Sequence, residues 1–130
     1  MAMTFKASVL SVRSAGKVCE IAFSASFGRV VMLGLEIPSG LKVGGEVKLG
    51  FKSADVMIAE GSNLNILTHN KIPAIIEKIT EGEIISALTL SNNDFKFEAL
   101  IPSELASNLK PQTAVTALVS ETSLYVSEVL

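Results

Sequence analysis

A chain of 130 residues, 48% hydrophobic and only 18% charged, can bury the core of one ordinary domain or of two small units that share an interior. With 11 basic against 13 acidic residues and a net charge of −2, it has no basic excess to hold a nucleic-acid backbone, so no nucleic-acid partner is expected. A single cysteine, Cys19, and a single histidine, His69, exclude an internal disulfide and any multi-cysteine or multi-histidine metal centre.

No run approaches the roughly 18 apolar residues that span a bilayer, and Met1 to Lys17 lacks a charged segment followed by an unbroken apolar one. The chain therefore reads as cytoplasmic, without membrane insertion. Its mean hydropathy of +0.47 is high for so small a protein, and a homo-oligomer, dimer or trimer, would hide the apolar surplus.

Taken in order, Ala7 to Val12 is a short β-branched stretch, Ser14-Ala15-Gly16 supplies a turn, and Lys17 to Phe23 resumes a strand pattern, which predicts a hairpin. Cys19 falls in this second strand and reads as inert packing. After the loop Ser24 to Gly28, Val31, Leu33, Leu35 and Ile37 alternate until Pro38-Ser39-Gly40 breaks the strand. Val43-Gly44-Gly45 turns the chain into a fourth strand, Glu46 to Phe51, and a short fifth, Val56 to Ala59, follows Asp55.

The second half repeats this order. Ala74-Ile75-Ile76 and Ile79 stand where Ala7-Ser8-Val9 and Val12 stood, and Gly82 takes the place of Gly16. Ile84 to Thr89 answers Val18 to Phe23, and Phe95, Phe97, Ala99 and Ile101 reproduce the alternation of Val31 to Ile37. Pro38-Ser39 is mirrored by Pro102-Ser103, after which Glu104 to Leu109 reads as a short helix. Val115 to Val119 and Leu124 to Val126 complete the copy. The expected fold is all-β: two tandem five-stranded OB-like small barrels, with a short helix in the second and a strand open to exchange between them. The expected boundaries are 1–60 for the first repeat, 61–72 for the linker and the start of the second, and 73–130 for the second repeat.

Chemistry concentrates between Lys52 and Asn70. Lys52 and Ser53 stand at a strand end, and Thr68, His69 and Asn70 open the second repeat, so a cation, two hydroxyls, an imidazole and an amide form a candidate anion-binding set. Each has a plainer reading too: Lys52 as a solvated strand end, His69 as a linker histidine, Asn70 as a turn residue before Pro73. Catalysis is not expected, since His69 has no nucleophile elbow or cysteine partner nearby and Gly44-Gly45 lacks the Gly-Lys-Ser continuation of a phosphate loop. Glu81 and Glu83, flanking Gly82, read as a solvated hairpin.

This pattern resembles the tandem molybdate-binding Mop domains of molbindins, a TOBE-type unit related to oxyanion-binding regions of molybdate-responsive regulators and of some transporter ATPases. The family's Ser-Ala-Arg-Asn motif is answered by Leu67-Thr68-His69-Asn70, and its Gly-Ala-Val-Asn-Ala-Glu-Val strand by Gly82-Glu83-Ile84-Ile85-Ser86-Ala87-Leu88. Its closing Ile-Lys-Ala-Ser-Asn-Val-Ile-Leu segment is matched by Phe51 to Ile58 and more loosely by Val119 to Val126. The sequence departs from the family at Leu67 and His69, which replace a serine and an arginine, at Pro38 and Pro102, which replace a threonine, and at Ser120, where the lysine kept as Lys52 is lost.

The resemblance implies an intracellular molybdate- or tungstate-binding protein serving storage, homeostasis or sensing for molybdate uptake. The oxyanion is then the ligand, no organic cofactor is needed, and the site is Lys52, Ser53, Thr68, His69 and Asn70. The alternative it implies is a regulatory or assembly module of the same fold, with weak or lost anion binding, that contacts a molybdate transporter ATPase or another protein. An OB-type nucleic-acid binder, the third class, is disfavoured by the charge balance and by one tyrosine and no tryptophan for base stacking.

Overall fold

The computed structural model describes residues 2–61 and 65–130, so residue 1 of the expected first repeat and residues 62–64 of the expected linker lie outside the described residues. The element order is β1 (Ala2–Ala15), β2 (Val18–Ala25), β3 (Gly28–Gly34), β4 (Glu46–Lys52), a 3-10 turn (Ser53–Asp55), β5 (Val56–Glu60), β6 (Lys71–Thr80), β7 (Ile85–Asn92), β8 (Phe95–Pro102), α1 (Ser103–Ala106), β9 (Ala114–Val119) and β10 (Tyr125–Val129). Among the described residues no helix is long and apolar enough to cross a membrane.

The strands form two antiparallel five-stranded sheets, in the orders β10-β4-β1-β2-β3 and β5-β9-β6-β7-β8. Each sheet is therefore four strands of one half of the chain and one strand of the other. β5 leaves the first half to pair with β9, Val56 opposite Val119, and β10 returns to pair with β4, Tyr125 opposite Gly50. This reciprocal exchange covers one edge of β9 and one of β4 that would otherwise present unpaired backbone groups.

The internal duplication is visible in register. β1 carries a bulge between Val9 and Ser11 as it pairs with β2, and β6 carries one between Ile76 and Lys78 as it pairs with β7. Val9 faces Phe23 as Ile76 faces Leu90. At each bulge the chain before the next strand folds back: Gly44 N–H donates to the Val9 carbonyl and Val9 N–H to the Gly45 carbonyl, while Gln112 N–H donates to the Ile76 carbonyl and Ile76 N–H to the Thr113 carbonyl. The corresponding residues share a left-handed backbone, φ +85° at Gly44 and +68° at Gln112.

One core serves both halves. Ala7, Val9, Cys19, Ile21, Phe23, Val47, Leu49 and Phe51 from the first half form a single cluster with Ile72, Ile76, Leu88, Leu90, Phe97, Ala99, Val115, Ala117, Val119 and Leu124 from the second. Five phenylalanines stitch the halves together: Phe5 lies 5.3 Å from Phe95, Phe27 stacks on Phe95 at 5.2 Å, and Phe51 meets Phe97 edge-on at 5.8 Å between ring centroids. Fully burying such a ring, as at Phe51 and Phe97, contributes about 1.5–3 kcal/mol, so much of the stability depends on the halves staying together. Cys19 is buried, with its thiol 3.4 Å from the Glu36 carbonyl.

The third strand departs from the expected pattern. β3 ends at Gly34, so Leu35 and Ile37 lie outside it and are exposed, and the residues that reach the shared core are Val30 and Met32. Alternation alone does not say which of two apolar phases points inward. In β8 the expected phase does reach the core, through Phe97 and Ala99.

Candidate functional site

The five candidate residues occupy two corners. Lys52 closes β4 opposite Ala2 of β1, and Ser53 begins the 3-10 turn that leads into β5. Lys52 is exposed and extended (φ −97°, ψ 147°), whereas Ser53 is fully buried and its carbonyl accepts the Val56 N–H. Thr68, His69 and Asn70 enter β6 beside the end of β9, where Val119 N–H donates to the Asn70 carbonyl at 3.1 Å. Val56, Val119 and Asn70 thus lie side by side across one sheet, two strand spacings or about 10 Å from first to last.

Pro73 fits this approach because β6 pairs only with β9 until Ile75, so the missing N–H costs no bond to β7. The Pro73 carbonyl, free on that side, accepts from the Asn92 side chain at 2.7 Å.

Asn70 is 1% exposed, and its side chain is committed to the edge strand β3: Oδ1 accepts the Val31 N–H at 2.7 Å and Nδ2 donates to the Val31 carbonyl at 2.9 Å. The opposite corner has a weaker counterpart, the Glu98 N–H directed at the Met3 sulfur at 3.1 Å. Met3 and Glu98 stand to each other as Asn70 and Val31 do.

The Thr68 and His69 donors converge on Glu121, in the turn between β9 and β10. The Thr68 hydroxyl donates to Oε1 at 2.9 Å, the His69 N–H donates to Oε2 at 2.9 Å, and His69 Nδ1 lies 2.6 Å from the same Oε2. The Glu121 backbone is itself held, its carbonyl accepting the Leu33 N–H at 3.0 Å. Burial would raise the Glu121 carboxyl, but the His69 N–H, the His69 ring, its own N–H and the Thr68 hydroxyl outweigh burial and hold it down at about 2. The side chain of Glu121 is 14% exposed and that of His69 53%, so the pair sits at the rim of the corner.

The corners are thus alike in backbone and opposite in charge. Lys52-Ser53 at the end of β4 corresponds to Ser120-Glu121 at the end of β9. Sequence reasoning passed over Glu121. The signal was present in the looser closing segment, where Glu121, after the lost lysine, stands at the position that Ser53 takes in the first half.

Two hollows among those on the surface of the described residues lie elsewhere. One, of about 640 Å³, runs over Lys71, Pro73, Ile75, Asn92, Asn93 and Thr116, and the other, about 450 Å³ and mainly apolar, lies between β5, β8 and α1, lined by Met57, Ile101 and Leu105.

Comparison with protein-family models finds no match, and comparison with curated proteins finds none. Among solved structures, the chain superposes with a TM-score of 0.89 on a molybdate-bound crystal form of ModG, a cytoplasmic molybdate-binding protein, at 18% sequence identity. The superposition covers 98% of this chain and 96% of that one, so the two share a fold from end to end.

Proposed function

We propose that this chain is a cytoplasmic binding protein for molybdate or tungstate, acting in storage, homeostasis or sensing rather than catalysis, and that it works as a homo-oligomer. The observation that carries the reading is the end-to-end likeness of its fold to that of a molybdate-binding protein, which agrees with the Mop-like pattern of the sequence. Lys52 supplies the charge a tetrahedral dianion needs on leaving water, and its exposure at the strand end leaves the ammonium open to solvent and ligand. Thr68 and His69 are the donors of the other corner, while Ser53 and Asn70, both buried, hold the two corners in shape.

Calorimetry with molybdate, tungstate, sulfate and phosphate tests this directly. Wild type is expected to bind molybdate or tungstate in preference to the smaller anions. Lys52→Ala is expected to weaken that binding by about 10- to 150-fold, the equivalent of about 1.5–3 kcal/mol for a charged hydrogen-bonding partner. Equal binding by wild type and Lys52→Ala would refute the site. A second reading, a Mop-fold module that contacts a transporter ATPase or another protein and has weak or lost anion affinity, draws on one observation: Glu121 already fills the Thr68–His69 donors. Absence of any binding by wild type at millimolar oxyanion favours that module.

A further inference from the structure

We infer that the Glu121 carboxylate is a built-in competitor for the Thr68–His69 donor set, so that this corner admits a tetrahedral oxyanion only when the Glu121 side chain swings out. The inference deepens the oxyanion reading for one of the two corners. Three donors converge there on two acceptor oxygens of one negative group, and an edge of a tetrahedral dianion also presents two oxygens to such donors. The backbone of Glu121 is fixed by Leu33, so departure of the carboxylate requires side-chain rotation alone. His69, on the outer side, is half exposed and leaves a path toward solvent.

The opposite corner supplies the contrast. There the position of Glu121 is taken by Ser53, a neutral side chain, and the residue before it is Lys52 instead of Ser120. A dianion approaching the Lys52 corner meets a cation, whereas one approaching the His69 corner meets a carboxylate already seated. The two corners should therefore fill unequally, the Lys52 corner first, and the His69 corner should open only when Glu121 is removed or outcompeted.

The test is calorimetry and amide NMR of the full chain with sodium molybdate, with sodium sulfate as the control anion, on wild type, Lys52→Ala, Glu121→Ala, Glu121→Gln and Lys52→Ala/Glu121→Ala. Glu121→Gln keeps the side-chain shape and an acceptor for Thr68 or His69, so it guards against misfolding of the alanine variant. We expect Glu121→Ala to gain molybdate affinity of at least about tenfold at a site that persists in the double variant. The His69 amide should shift on titration there, and adding Thr68→Val should abolish the gain. If Glu121→Ala and Glu121→Gln bind no more tightly than wild type and the His69 amide stays still, the inference is overturned, while Lys52-dependent binding by wild type would leave the oxyanion reading standing. Binding by Glu121→Ala alone would support the inference and move the wild-type protein to the module reading. Binding by none of the proteins overturns both.

Discussion

Asn70 holds Val31 at both of its backbone polar groups, accepting from the nitrogen at 2.7 Å and donating to the oxygen at 2.9 Å. The side chain acts as a one-residue strand on the open edge of β3, tying the entry of the second repeat to the first sheet. Val31 is 1% exposed, so Asn70→Ala leaves a buried N–H and a buried carbonyl without these partners. The expected loss is about 2–4 kcal/mol, seen as a lower denaturant midpoint with an unchanged slope. A loss below about 0.5 kcal/mol would mean that water replaces the amide at no cost.

That tie also shows what the sequence could and could not say. The order of ten strands and the duplication were legible because period-two patterns and turn residues recur in the same order, whereas the 3-10 turn over Ser53–Asp55 was read only as a strand end. Strand exchange was legible only as an opening, since β5 and β10 would carry the same residues whichever sheet they joined. The inward phase of β3 was hidden because Val30, Val31, Met32 and Leu33 are all apolar. The role of Asn70 was hidden because a buried amide and a turn amide look alike until Val31 is placed beside it. Glu121 was missed for a related reason: its donors are more than fifty positions away in the chain.

Gln112 offers a test of the duplicated architecture. It sits at φ +68° where its counterpart Gly44 sits at +85°, a region that costs a residue with a Cβ about 1–2 kcal/mol. Gln112→Gly relieves that strain and raises the entropy of the unfolded chain, so the net gain should be small, about 0.5–1 kcal/mol. Gly44→Ala should destabilise. Thermal denaturation of both variants reads the pair, and a stabilised Gly44→Ala would contradict the assigned backbone.

Tyr125, the one tyrosine in a chain without tryptophan, makes the returning strand β10 visible to fluorescence. It pairs with Gly50 of β4, and a Cβ at Gly50 would lie 2.6 Å from Cζ and 2.7 Å from the hydroxyl oxygen of its ring. Gly50→Ala must therefore push the ring aside. The expected result is altered tyrosine emission with a loss of about 1–3 kcal/mol, as for other overpacked sites. Wild-type emission in the variant would place the ring elsewhere.

Acid stability should carry the signature of Glu121. Its carboxyl has an ordinary value of 4.5 and is held at about 2 in the folded protein, so the unfolded chain binds the proton first as pH falls. The contribution of the contact is therefore fully present above pH 4.5 and is lost progressively as pH drops from there toward 2. A shift of this size at the protein rim, discounted for solvent screening, corresponds to on the order of 1–3 kcal/mol. Glu77, which the Lys96 and Ser91 side chains hold below the ordinary carboxylate range, titrates in the same direction in wild type and in a Glu121 variant, and so cancels in their difference. Urea unfolding of wild type and Glu121→Gln between pH 2.5 and 7 should then show the two proteins most different near neutrality and converging in acid. A constant offset across that range would mean that Glu121 is held by packing, and that the Thr68 and His69 donors contribute nothing specific to its charge.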